Sequence, residues 1–187
     1  MILTHGMNSI QRTLYETILG TSYKCVKIGN LVWMAENLHY SGSEIASFLK
    51  TDSNTGTYYY KGKNSGTNLS SVLIPDNGYR IPTSTDFHAL FDACGIIDVT
   101  DISYEPSSVL KSTTGWDEMN GTDDFGFNLT PNGYWNIGAD GVLELGKTGH
   151  CLGQGYYIRA SYDSNEVMIV YVGADPNPLT LRLCRDA

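Results

Sequence analysis

The chain lacks several features that would place it at once. It has no CxxC pair: Cys25, Cys94, Cys151 and Cys184 lie far apart, which speaks against the common zinc modules. No apolar run reaches the ~18 residues of a membrane span, so no membrane insertion is expected. Positive charge is scarce: 12 Lys and Arg stand against 20 Asp and Glu, for a net charge of −8. There is no basic stripe, so nucleic acid is not expected as a partner. The first residues, "MILTHGMNSIQ", have neither a basic region nor a long apolar core and do not read as a signal peptide. Synthesis in a cytoplasm is the expectation, with four reduced and mostly buried thiols. The triplets headed by Asn68, Asn120 and Asn128 then carry no weight as glycosylation acceptors.

What is present fits one globular domain with an additional arm. At 187 residues and 41% hydrophobic, the chain can bury roughly 70% of its unfolded surface without a disulfide. Thirteen Tyr and twenty Gly, among many Asn, Ser and Thr, lean toward strands and turns. Residues 1–21 stand apart. Leu14, Ile18 and Leu19 have helix-like spacing before Gly20, but the segment is too short to fold alone. Two readings are open: a first strand or turn of the domain, or an arm that docks on a partner. Its apolar residues, Ile2, Leu3, Met7, Ile10, Leu14, Ile18 and Leu19, favour the docking arm over a disordered tail.

From Ser22 the pattern sharpens. "SYKCVKI", then Gly29-Asn30, then "LVWM" predicts a β-hairpin, with Val26 and Ile28 on one face. In "LVWMAENL", Trp33 and Leu38 are expected in the core. Glu36 and Asn37 are expected to satisfy backbone groups where strand gives way to loop. Residues 41–77 read as a long loop with one short strand near Tyr58–Tyr60. "PTSTDFHALFDACG" predicts a helix. Thr83 or Ser84 caps it, Asp86 sits in its first turn, Phe87, Leu90, Phe91 and Cys94 form its apolar stripe, and Gly95 ends it. His88 lies off that stripe and is expected in solvent. Phe125, Phe127 and Leu129 alternate as a strand would. "NEVMIVYVG" and "LTLRLCRD" flank "ADPNP" as an expected antiparallel pair. The predicted class is α+β, mostly short antiparallel strands with one clear helix and long loops.

Chemistry is thin. Asp117, Glu118, Asp123 and Asp124 are the residues that a hard cation would use, but an acidic turn reads the same way. His150-Cys151 by itself is not a nucleophile–base pair. The stretch "YYIRASYDSNE" has the composition of a binding surface, through Tyr156, Tyr157, Arg159, Tyr162, Asp163, Asn165 and Glu166. No catalytic residue, metal or cofactor is expected.

Five motifs, in order, resemble one family. "VKIGNLVWMAENL", "GYRIPTSTDFHAL", "LKSTTGW", "NGTDDFGFNLTPNGYW" and "LRLCRD" are similar to segments of the Fibrobacter succinogenes major paralogous domain, and the resemblance spans about residues 22–186. It implies a C-type-lectin-like fold, related to formylglycine-generating enzymes, in which N- and C-terminal strands pair and bring Cys25 near Cys184. It also implies a surface or virion protein of Bacteroidetes-like bacteria or their phages. The expected function is a non-enzymatic recognition domain of a phage tail or fibre. It would bind a host cell-surface receptor, protein or glycan, and associate with itself or a neighbouring virion protein through residues 1–21. A bacterial adhesin of the same family is the alternative, with an enzyme of the formylglycine-generating type behind it. "GVLELGKTGHCLGQGYYIRAS" departs from the family's usual aromatic, Ser/Thr-rich stretch and weakens any transfer of binding residues.

Overall fold

The computed structural model describes residues 13–62, 67–100, 102–172 and 177–187. Its first sheet is built from β1 (Leu14–Ile18), β2 (Thr21–Ile28), β3 (Leu31–Met34) and the last strand of the chain, Cys184–Asp186. The last strand pairs antiparallel with β3, with Cys184 opposite Trp33. A hairpin, β4 (Leu49–Asp52) and β5 (Gly56–Tyr59), and the helix α1 (Ser84–Cys94) follow β3. Next come β6 (Ile97–Thr100), β7 (Ser103–Glu105) and a second hairpin of β8 (Tyr134–Asn136) and β9 (Gly141–Leu143). The strands β10 (Thr148–Leu152), β11 (Tyr156–Ser161) and β12 (Val167–Tyr171) complete the five-stranded sheet, in the order β10-β11-β12-β7-β6. The final strand, Cys184–Asp186, is β13.

Alternation along β2 and β3 explains why the first sheet sits in the middle of the molecule. Val26, Ile28, Leu31 and Trp33 join one apolar cluster with α1, Phe127 and the inner residues of β11 and β12. Tyr23, Cys25, Val32 and Met34 join a second cluster on the opposite face. Every residue of β3 is therefore buried, and "LVWM" has to be apolar throughout. Trp33 lies in the first cluster, stacked on Phe87 at 6.0 Å and edge-on to Phe127 at 5.6 Å.

The helix forms as its sequence dictates. Thr83 and Asp86 make a reciprocal capping box, and Gly95 closes the helix in the left-handed region at φ 68°. Phe87, Leu90, Phe91 and Cys94 are buried and His88 is exposed.

Several expectations need correction. The described chain is mostly antiparallel β-sheet, 39% strand against 14% helical, with α1 its one α-helix. That is not the α+β, C-type-lectin-like class expected. Leu14–Ile18, given helix-like spacing, is a strand paired with β2 from Leu14↔Cys25 to Ile18↔Thr21. Ile18 is fully buried, and Glu16 holds Arg185 at 2.7 Å. The boundary drawn after residue 21 thus falls inside a hairpin, and residues 1–12 of the expected arm lie outside the described residues. Residues 125–129 are loop; only Leu129 makes an isolated bridge, to Lys111. β12 pairs with β11 and β7, not with the chain end. Most of "ADPNP" lies outside the described residues. Terminal strands do pair, but Cys25 and Cys184 are not neighbours. β3 runs between their strands, and the two side chains enter opposite clusters.

Candidate functional site

Glu36 and Asn37 belong to a polar knot at the end of β3. The Glu36 carboxylate accepts the Lys24 backbone N–H at 2.5 Å. Asn37 Oδ1 accepts from Arg182 Nε at 2.9 Å. Arg182 has no exposed surface. Its remaining nitrogens donate to the carbonyls of Phe127 and, at 2.7 Å, Asn128. Its guanidinium lies 4.9 Å from the Phe127 ring centroid. Burial lowers its pKa to about 10, which still leaves it charged at neutral pH. Three neutral acceptors stand in for the water it has lost. Asn128 adopts φ 56°, its N–H donates to Asp123 at 2.5 Å, and its side chain reaches the Ala35 carbonyl at 3.4 Å. This arrangement pins the 123–128 loop, which has no ladder of its own, to the turn after β3. Asp123, one of the acidic residues considered for a cation, is thus engaged by a backbone N–H. Leu38 is buried, and its N–H donates to Leu181 O at 2.7 Å.

The seven residues expected to form a display surface do not share one. In β11 the side chains alternate. Ile158 and Ala160 enter the core shared with α1, and Tyr156 packs against that core, edge-on to exposed Tyr171 at 5.5 Å. Tyr157 and Arg159 point to the other face. Tyr162, Asp163, Asn165 and Glu166 lie in the turn before β12. Asn165 has a structural task there: its backbone and side-chain oxygens accept from Ser107 N at 2.7 Å and Ser108 N at 3.3 Å. The Tyr162 ring lies 5.9 Å from the Lys147 ammonium.

The face that carries Tyr157 and Arg159 is the best candidate. The register sets two rows across the strands: His150–Arg159–Met168 and Leu152–Tyr157–Val170. His150 and Leu152 are buried at one side, while Tyr157, Arg159, Met168 and Val170 remain half-buried. Tyr134 of β8 leans on the edge, 6.3 Å from His150, and His150 lies 5.7 Å from Tyr157. Gly133 allows the end of β9 to pass close to the start of β8. It sits at φ 63°, and a Cβ there would collide with the Leu143 carbonyl. The Gly133 carbonyl only accepts, so His150 carries its proton on Nδ1 and donates at 3.1 Å. Burial lowers the His150 pKa to about 4, and the ring is neutral. Arg159 lies 3.8 Å from Glu144, and its buried Nε has no hydrogen-bond partner among the described residues. Sequence reasoning did not single out Tyr134, Glu144, Met168 or Val170 for this face. The alternation in "NEVMIVYVG" held the signal for Met168 and Val170, since Val167 and Ile169 are the inward pair.

All four cysteines are buried and unpaired. Burial pushes the Cys94 thiol up to about 12 and the Cys151 thiol to about 11, and raises those of Cys25 and Cys184. None is disposed to act as a thiolate. Among the described residues no helix is long and apolar enough to cross a membrane.

Comparison with known families gives one match. The model of the Fibrobacter succinogenes major domain matches residues 26–142, more than half of the chain. No curated protein and no solved structure matches. The matched span holds the knot's Glu36, Asn37, Asp123 and Asn128, but it ends before β10, β11 and β12.

Proposed function

The chain belongs to the Fibrobacter succinogenes major domain family, and we propose that it is a non-enzymatic recognition domain whose binding face is the half-buried side of β11 and β12 that carries Tyr157 and Arg159. The observation that carries the reading is the half-buried group of Tyr157, Arg159, Met168 and Val170 on a rigid sheet. Tyr and Arg concentrate binding energy at interfaces, and a strand-borne side chain loses little freedom on binding. The thiols fit a non-enzymatic role, since burial holds them protonated. The setting we propose is a phage tail or fibre, with the face turned to a host cell-surface receptor. Four reduced, buried thiols fit folding in a reducing cytoplasm, where virions assemble, better than secretion as an adhesin.

Labelled protein added to a panel of Bacteroidetes cells tests the binding face. Tyr157→Ala combined with Arg159→Ala should weaken cell binding by about tenfold or more without loss of fold. Undiminished binding by the double variant would place the recognition surface elsewhere. Mass spectrometry of purified phage particles separates the two settings: the chain in virions supports the phage reading, and its recovery only from bacterial surfaces supports the adhesin.

A further inference from the structure

A second site, made of different residues, lies beside the Asn37–Arg182 knot. A cleft of ≈ 290 Å³ opens between residues 36–39, the start of β5 and residues 128–132. Its size is at the lower end of small-molecule sites, and most of its lining residues carry a carboxamide, a hydroxyl or a carboxylate.

The orientation of both amides follows from partners of one polarity. Arg182 Nε only donates, so Asn37 turns Oδ1 to it and Nδ2 toward Thr130 and Asn132. The Thr55 carbonyl only accepts, so Asn132 turns Nδ2 to it at 2.8 Å and leaves Oδ1 for Thr130 Oγ1. The contacts of Asn37 Nδ2, at 3.4 and 3.3 Å, are long for hydrogen bonds. Its two N–H groups are held in place but weakly used. Among the described residues Glu36 engages one carboxylate oxygen, at Lys24 N, and keeps acceptor capacity. At the rim, exposed His39 packs on Tyr23, with ring centroids 4.6 Å apart.

A fixed amide donor, a hydroxyl and a carboxylate acceptor side by side match adjacent ligand hydroxyls, each of which both donates and accepts. The charges argue for a neutral ligand. The Arg182 cation is taken up by three protein acceptors beneath the surface, while an anion in the cleft would face Glu36. We propose that this cleft binds a neutral polyhydroxylated ligand, one sugar unit, through Asn37, Thr130 and Glu36. It shares no binding residue with the Tyr157–Arg159 face, so either proposal stands if the other fails.

The test is titration of the ¹⁵N-labelled full chain, followed by NMR. The probes are the methyl glycosides of glucose, galactose, mannose and N-acetylglucosamine, with N-acetylneuraminate as the anionic comparator. At least one neutral glycoside should shift the Asn37 side-chain resonances and the amides of residues 36–39 and 130–132, with a Kd in the range of about 1–10 mM. Asn37→Asp keeps the acceptor for Arg182 and removes the donor, so it should weaken that binding about tenfold. If that variant fails to fold, Glu36→Gln, which keeps the acceptor for Lys24 N, should weaken binding in the same assay. The proposal is overturned if no neutral glycoside shifts these signals up to about 100 mM, if only N-acetylneuraminate does, or if the folded variants bind as the wild type does.

Discussion

Arg182 offers the most searching test of how this fold is held together. Its guanidinium is fully buried, and three acceptors, Asn37 Oδ1, Phe127 O and Asn128 O, depend on it. Arg182→Met fills similar space and removes the cost of burying a charge, but strands those acceptors. A hydrogen bond to a charged group contributes about 1.5–3 kcal/mol. Removing a buried charge is partly compensated by its relieved desolvation, and the neighbouring cleft admits water to part of the gap. The net loss worked from these terms is about 4 kcal/mol. Arg182→Lys keeps the charge but cannot reach three acceptors in the plane of a fork. It retains the desolvation cost as well, so it should be no milder than Arg182→Met. With a urea m-value of about 2 kcal/mol per molar, each variant should lower the unfolding midpoint by about 2 M. Equilibrium urea unfolding by tryptophan fluorescence reads this directly. An Arg182→Met protein as stable as the wild type would refute the reasoning, because it would mean that the three carbonyl oxygens gain nothing from the guanidinium. A mild Arg182→Lys beside a severe Arg182→Met would show that charge, not fork geometry, matters.

Three further outcomes are expected. Ile18→Ala should cost about 2–4 kcal/mol by the same unfolding assay, since Ile18 is fully buried in the second cluster; an unchanged midpoint would mean that Leu14–Ile18 is dispensable to the domain. Alkylation at pH 8 should label none of the four cysteines in the native protein within minutes and all four after unfolding without reductant; a Cys25–Cys184 crosslink would contradict the sheet, whose opposite faces carry them. His150 is held neutral by burial, at about 4 against an ordinary 6.5. Below pH 6.5 the unfolded chain takes up the proton first, so this contribution is whole above 6.5 and is lost as pH falls toward 4, by about 3 kcal/mol at full extent. His150→Gln, which can still donate to Gly133 O, should show a flatter loss of stability over that window; an identical slope would mean that His150 is not the group that titrates.

Local chemistry made part of this molecule readable from its sequence. The hairpin of β2 and β3 follows from alternation around Gly29-Asn30, and the limits of α1 follow from Thr83, Asp86 and Gly95, because caps and tight turns are settled by neighbours in the chain. Tertiary structure decided what those elements face. The apolar alternation at Phe125, Phe127 and Leu129 is as regular as that of a strand, yet Phe127 is buried from a loop. A period of two specifies sides, whereas a strand also needs a partner backbone. In β11 the same alternation parts Tyr156 from Tyr157, so a contiguous aromatic stretch became two surfaces. Arg182 gave no sign of its role, since its side-chain partner, Asn37, is 145 residues away in the chain. Its other acceptors are backbone carbonyls, which every residue possesses. Only the folded chain brings those oxygens to one point, where burial makes a planar, fixed cation the group that can satisfy them.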